Sequence, residues 1–263
     1  MKTVLILSDI HVGSKLAVAP PTFRTMDGAT YEGNRVQKAL FRMWQQAVDK
    51  WPKPDYLIVN GEPLDGQGVK NQGTEQWTTT YEDQIAAAVQ LVKMFKAKNV
   101  YCTRGSNYHV QIGGTSIEEV FGEKVGAKAI DGAHVVPHFF LKAEDVTFHF
   151  AHHLSSSTST WQYRTTPIAR ELVVMLLNET KMYHADVVVR SHNHFYCYAG
   201  FRNQLGICTP CWQLQTWNSQ RQTIGGTVTH IGAIRFTVEN GGYDWEEHIG
   251  SQPEFKPPLV NGA

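Results

Sequence analysis

Several classes of protein are excluded by what this chain has little of. It has four cysteines in 263 residues, Cys102, Cys197, Cys208 and Cys211, too few for a disulfide-stapled scaffold. Cys208-Thr-Pro-Cys211 has the two-residue spacing of a redox or zinc knuckle, but no second pair accompanies it, so structural thiols are expected. No apolar run approaches the ~20 residues of a membrane span. The apolar start, Met1 to Leu7, is too short for a signal peptide and is followed at once by Ser8-Asp9. A cytoplasmic protein with no membrane partner is therefore expected. Lys plus Arg number 24 and Asp plus Glu number 24, a formal net charge of zero with no basic run, so charge does not indicate a nucleic-acid partner, though it leaves room for a local basic groove. Internal repeats and linkers are also lacking. One domain is expected over residues 1–250, with a C-terminal tail over 251–263; nothing in the sequence bears on oligomeric state.

What the chain does have is an alternation of short β-rich runs and amphipathic segments. Hydrophobic residues make up 42% and charged residues 18%, ordinary for a globular domain. Thr3 to Leu7, Tyr56 to Asn60 and Asn99 to Thr103 read as buried strands. Between them, Val36, Leu40, Met43, Ala47 and Trp51 keep the i, i+3, i+4 stripe of a helix predicted from Arg35 to Trp51 and stopped by Pro52. A second helix is predicted from Glu82 to Lys98. Thr115 or Ser116 with Glu118 or Glu119 three residues on is spaced as the capping box of a third, and Thr166-Pro167 opens a fourth. Two polar insertions, Ser14 to Gly33 and Gln67 to Thr80, read as long loops, and a Ser/Thr run from Leu154 to Thr160 as another. Hairpin strands are predicted over Ala133 to Leu141 and Asp145 to Ala151, and later strands over Ile207 to Trp217, Thr227 to Val238 and Tyr243 to Ile249. The fold class that follows is α/β, a central β-sandwich of two mixed sheets flanked by helices.

The chemistry stands where the strands stop. The run Val187-Val188-Val189 ends at Arg190-Ser191 and delivers His192-Asn193-His194. In extended chain, residues i and i+2 face one side; in a turn they splay and can serve two neighbouring points. The other strand ends carry Asp9 and His11, Glu62 and Asp65, Asn107 and His109, and His152 and His153. Ligands of open α/β sheets gather outside the carboxyl ends of strands, so the five pairs are predicted to converge. Carboxylate, amide oxygen and imidazole together suit two divalent transition metals with a carboxylate between them. Of the adjacent imidazoles, His152 stands where the alternating register ends and is preferred to His153. Asp65 is expected either to orient a ligand or to form the turn. His134, His138, His149, His184, His230 and His248 lack such context and are expected to be structural, as are Trp212 and Trp217.

In this order the motifs resemble those of the calcineurin-like metallophosphoesterases: Asp9-Ile-His11, Gly61-Glu62-Pro-Leu-Asp65, Gly105-Ser-Asn107-Tyr-His109, His152-His153 and Ser191-His192-Asn-His194, spanning roughly residues 4–240. The resemblance implies a four-layer fold and hydrolysis of phosphate esters, with phosphodiesters the expected substrates. It implies two divalent metal ions (Mn²⁺, Fe²⁺/Fe³⁺, Zn²⁺ or Ni²⁺) and attack on phosphorus by a hydroxide between them. Asp9, His11 and His194 would hold the first ion, His152 and His192 the second, Glu62 would bridge, Asn107 would be the amide ligand and His109 the proton donor to the leaving group. Three positions depart from the family pattern: Glu62 replaces Asp and adds a methylene, Tyr108 separates Asn107 from His109, and Ser191 replaces Gly. These departures give the alternative reading, a catalytically degenerate metal-binding protein that acts as a binding module.

Overall fold

The computed structural model of the chain describes residues 1–68, 72–106, 111–112, 115–154, 163–216 and 229–250, with the backbone alone at 111, 112 and 115. In chain order the strands are β1 (Lys2–Leu7), β2 (Thr22–Arg24), β3 (Thr30–Glu32), β4 (Tyr56–Asn60), β5 (Asn99–Thr103), β6 (Gln111–Ile112), β7 (Thr115–Ser116), β8 (Val135–Val136), β9 (His138–Ala143), β10 (Val146–Ala151), β11 (Val187–Arg190), β12 (Cys197–Phe201), β13 (Gln204–Cys208), β14 (Ile231–Glu239) and β15 (Gly242–Gly250). The helices are α1 (Arg35–Lys50), α2 (Tyr81–Lys93), α3 (Ile117–Val125) and α4 (Thr166–Leu177).

Two mixed sheets carry the fold. One runs β15-β14-β1-β4-β5-β8, the other β12-β13-β11-β10-β9. Each has a parallel run: β1, β4, β5 and the edge strand β8 in the first, β10, β11 and β13 in the second. Alternation along β1 shows why both faces must be covered. Val4 and Ile6 meet Phe148, Phe150, Val187 and Val189 of the opposite sheet in one core, whereas Leu5 and Leu7 join Leu40, Trp44 and Leu91 beneath α1 and α2 in another. On the far side α4 covers the second sheet through Leu172 and Met175 over Val188. The layers are therefore helix, sheet, sheet, helix, as the sequence leads one to expect, and the carboxyl ends of both sets of parallel strands open on one edge.

The elements end where local chemistry ends them. Asn34 caps α1 by accepting the Gln37 N–H at 3.0 Å, while the Gln37 side chain accepts the Asn34 N–H at 3.0 Å, a reciprocal capping box. Helix α2 stops at Lys93, five residues short of the predicted Lys98, because the chain turns through Met94 and a left-handed Lys96 (φ 52°). The loop predicted from Ser14 to Gly33 contains the hairpin β2–β3, whose Phe23 and Tyr31 pack on Trp77 of the second insertion. The strand predicted from Ile207 to Trp217 is corrected to the β12–β13 hairpin: β13 ends at Cys208, and Pro210 lacks the N–H that a continuing ladder needs. Of the Leu154 to Thr160 run only Leu154 is described; Trp217 and the tail 251–263 also fall outside the described residues. No helix among the described residues is long and apolar enough to cross a membrane. Trp212 is buried against Trp44 (ring centroids 4.7 Å apart), and Cys208 and Cys211 are free and buried.

Candidate metal centre

The two sheets meet at their carboxyl ends over a floor of hydroxyls and one amide. Asn60, the last residue of β4, donates from Nδ2 to the Ala151 carbonyl (3.0 Å) and to Ser191 Oγ (2.6 Å), and accepts from the Thr103 hydroxyl (2.9 Å). Ser191 Oγ is in turn 2.7 Å from Thr209 Oγ1, which lies 2.6 Å from Ser8 Oγ. One buried chain of hydrogen bonds thus ties the ends of β1, β4, β5, β10, β11 and β13 together, and it fixes the turns above it.

Those turns are unusual. Asp9 (φ 47°), His11 (φ 50°), Glu62 (φ 51°), His192 (φ 72°) and His194 (φ 58°) all adopt the left-handed conformation, sparsely populated by residues other than Gly and concentrated at functional sites. Their backbones are held: the Asp9 N–H donates to the Gly61 carbonyl and the His11 N–H to the Glu62 carbonyl, both at 3.1 Å, and the Trp212 N–H donates to the Asp9 carbonyl at 3.0 Å. Gly61 itself sits at φ 80°, where a Cβ would lie 2.3 Å from His152 Nδ1. Only glycine lets that imidazole approach.

The turns deliver two imidazole pairs and two carboxylates. His11 Nε2 and His194 Nε2 face each other at 3.2 Å, with Glu62 Oε2 3.1 Å from the first and Asp9 Oδ1 3.3 Å from the second. Beside them, His152 Nε2 and His192 Nδ1 face each other at 3.2 Å, with Glu62 Oε1 3.4 Å and 3.7 Å away respectively. Asp9 Oδ1 is also 3.9 Å from His152 Nε2. One set, His152-His153-His192, has imidazoles alone; the two that include carboxylates are Asp9-His11-Glu62-His194 and Asp9-Glu62-His152-His192, and in each of the three the donor atoms lie within 4.8 Å of one another. Both carboxylates belong to both of the mixed sets. Glu62 aims one oxygen at each imidazole pair.

This donor set fits divalent cations. Two nitrogens on one zinc-like ion stand roughly 2.9–3.4 Å apart at ordinary bond lengths and angles, which brackets both imidazole pairs. Asp9 Oδ1 is buried and accepts no hydrogen bond, the condition of a ligand oxygen. The tautomers are set as well: His152 Nδ1–H donates to the Asn60 carbonyl at 2.8 Å, and His11 Nδ1 lies 3.2 Å from Asp65 Oδ1. Each leaves Nε2 for the centre, the carboxylate–histidine arrangement that orients ligands from behind. Asp65 is itself held by Gln76 Nε2 (2.5 Å) and Gln213 Nε2 (3.2 Å), so it orients His11 as well as standing in a turn.

Electrostatics point the same way. Burial would push His11 and His152 down, but Asp65 and Glu62 hold His11 up to about 10, while Glu62 and Asp9 hold His152 up to about 9. Burial would raise the two carboxyls, yet His152 and His194 keep Asp9 below its ordinary value, and His152 and His11 keep Glu62 well below. Two buried carboxylates thus require positive charge between them. A bound cation would supply it in place of protons on the imidazoles.

Of the predicted site residues, the structure brings together Asp9, His11, Glu62, His152, His192 and His194; Asn107 and His109 lie outside the described residues. His153 stands beside the second pair, its ring 4.9 Å from that of His192, and a nitrogen of its ring lies within 4.8 Å of those of His152 and His192. Two supporting residues were not among the predicted site residues. The buried carboxyl of Glu118, pushed by burial up to about 7, accepts the Glu62 N–H at 3.1 Å and the Gly105 N–H at 2.9 Å. Ser106 donates its N–H (3.2 Å) and its hydroxyl to Glu62 Oε1. The capping-box spacing had marked Glu118 only as a helix former. Among the other histidines, His134 bonds the Ala127 carbonyl, His230 accepts the Tyr196 N–H and His184 pairs with Glu179.

No known family profile and no curated protein matches the chain. Solved structures do align along most of it. They include a Vps29 variant from Entamoeba histolytica (10% identity, 95% of this chain and 99% of that one, TM-score 0.46). Others are an archaeal phosphodiesterase (11%, 93% and 99%, 0.45) and Vps29 from Cryptosporidium parvum (12%, 95% and 98%, 0.42). These likenesses concern the course of the chain; what the site does rests on its own residues.

Proposed function

We propose that the protein is a two-metal hydrolase of phosphate esters, acting on phosphodiesters. His11 and His194 would hold one cation, His152 and His192 the other, Asp9 would reach both, and Glu62 would give one oxygen to each. The observation that carries this reading is the placement of Glu62 between two imidazole pairs, Oε2 towards His11 and Oε1 towards His152 and His192. Glu at this position, with its extra methylene, reaches both.

Bound cations would supply Lewis acidity, lowering the pKa of a water and offsetting charge on phosphoryl oxygens. The chain does the rest. The hydroxyl floor, Asn60 and Glu118 fix the turns, so the backbone that carries the donor side chains is held before a cation enters. Asn60 keeps the His152 proton on Nδ1, and Asp65 does the same for His11, so that Nε2 of each carries no proton once a cation enters. Asn107 as a further ligand and His109 as the proton donor to the leaving oxygen complete the proposal, His109 contributing roughly 10²–10⁴-fold as general acids do.

The test combines metal analysis with turnover. After loading with Mn²⁺ and desalting, two ions per chain are expected, with hydrolysis of bis(4-nitrophenyl) phosphate that a chelator abolishes and added Mn²⁺ restores. One ion or none, without turnover, would overturn the hydrolase and favour the degenerate binding module.

A further inference from the structure

Beside the centre lies a cavity of about 450 Å³ lined by Arg104, Gly105, Ser106, Pro137 and His153. Its walls touch the candidate ligands. Ser106 bonds Glu62 Oε1, a Cβ on Gly105 would stand 2.6 Å from Glu62 Cγ, and the His153 ring lies 5.1 Å from that of His152 and 4.9 Å from that of His192. Arg104 is the charged residue of the lining. Its backbone is pinned where β5 meets β8, donating to the Val136 carbonyl at 2.8 Å. Its Nε is buried and has no hydrogen-bond partner, and no carboxylate among the described residues pairs with its guanidinium. A half-buried guanidinium without a counter-charge is costly. The fork of N–H donors that it presents is matched to carboxylate and phosphate oxygens.

We propose that this cavity is a substrate subsite in which Arg104 pairs with a second anionic group. The substrates would then be phosphodiesters that carry a carboxylate or a further phosphate beside the reacting phosphate, and phosphomonoesters that keep that group would bind there as products do. The inference rests on the hydrolase reading, which places the reacting phosphate over Glu62 and the imidazoles. Arg104 contributes affinity and choice of substrate and has no part in bond making.

Ethyl phosphate and 2-phosphoglycolate are suitable probes because they differ in a methyl group against a carboxylate. Their dissociation constants are measured by isothermal titration on the protein as purified, with metal content and diester hydrolysis recorded on the same samples. Phosphoglycolate is expected to bind wild type roughly tenfold tighter than ethyl phosphate, the size of one charge-assisted hydrogen bond. In Arg104→Gln that ratio should fall to about one. Arg104→Lys, which keeps the charge without the fork, should give a ratio of about three and replaces the Gln variant if that one does not fold. A ratio near one in wild type, or one that either variant leaves unchanged, overturns the subsite. Loss of metals and turnover with the ratio intact would overturn the hydrolase reading and leave Arg104 an anion site.

Discussion

The two halves of the candidate centre are built from the same residue types but supported differently. In one half the His11 side chain is 3% exposed and is backed by Asp65, itself gripped by Gln76 and Gln213. In the other half His152 is sealed against the Asn60 carbonyl, whereas its partner His192 is 42% exposed and borders the Arg104 cavity through His153. The inner half is thus held from behind on a carboxylate, and the outer half is open to solvent on one side. A carboxylate behind a ligand imidazole raises its basicity and fixes its ring, while an exposed ligand exchanges more freely. The inner half should hold its cation tightly, and the outer half should be where substrate arrives.

The strongest way to break the distinction is to remove what the halves share. Asp9 belongs to both donor sets, and its Oδ1 faces imidazoles of both. Asp9→Asn should therefore empty both halves: metal content near zero after loading and desalting, and a loss of turnover of about 10³-fold or more, equivalent to the several kcal/mol that two-metal sites supply. If one ion per chain stays, Asp9 serves one half alone.

Separate changes should then tell the halves apart. Asp65→Asn leaves His11 in place but takes the charge from behind it, and should weaken the tighter cation by roughly 10–100-fold, the usual cost of losing such a partner. His192→Ala should spare that ion and weaken the other by about tenfold, since Asp9, Glu62 and His152 remain to hold it. Competition with a chelating dye, which resolves two affinities, reads both effects. The distinction fails if Asp65→Asn weakens the looser ion or His192→Ala the tighter one.

Much of this was legible from residue order. The strand ends could be located because buried parallel strands are continuous apolar runs, and Val187-Val188-Val189 or Leu57-Ile58-Val59 can be little else. Asp9, His11, His192 and His194 follow such runs directly. Geometry was less legible. A pair at i, i+2 faces one point only in extended chain, and here the left-handed turns at His192 and His194 send one imidazole to each half. Those conformations come from tertiary hydrogen bonds, such as that from the His192 N–H to Asp9 Oδ2, which no local pattern encodes. Glu118 and Asn60 escaped for the same reason. Their role is to bond backbone groups of segments distant in sequence, and a helix-capping spacing or a strand-end amide gives no hint of the partner. The β2–β3 hairpin was hidden because its strands are three residues each and its apolar contacts, Phe23 and Tyr31 on Trp77, belong to the other insertion.

The smallest effect expected concerns the foundation of the outer half. Arg190, which ends β11 two residues before His192, is buried on Glu171 of α4, with Nε and Nη2 at 3.2 Å and 3.0 Å from Oε2. Its Nη2 also lies 3.2 Å from His149 Nδ1. Arginine can only donate, so His149 accepts at Nδ1 and carries its proton on Nε2, towards His138 Nδ1 at 3.2 Å. Burial first, then the charge of Arg190, holds His149 down to about 3, while in the unfolded chain it titrates near the ordinary 6.5. Between those values the unfolded state binds the extra proton, so stability rises with pH and is lost as pH falls below about 6.5. From pH 7 to pH 6 the loss attributable to His149 is about 0.7 kcal/mol, steepening towards about 1.4 kcal/mol per unit below that. His149→Gln, which can still accept from Arg190, should flatten the pH dependence of urea unfolding by that amount over the same interval. Identical slopes in the two proteins would mean that His149 is already protonated in the fold, with Arg190 held by Glu171 alone.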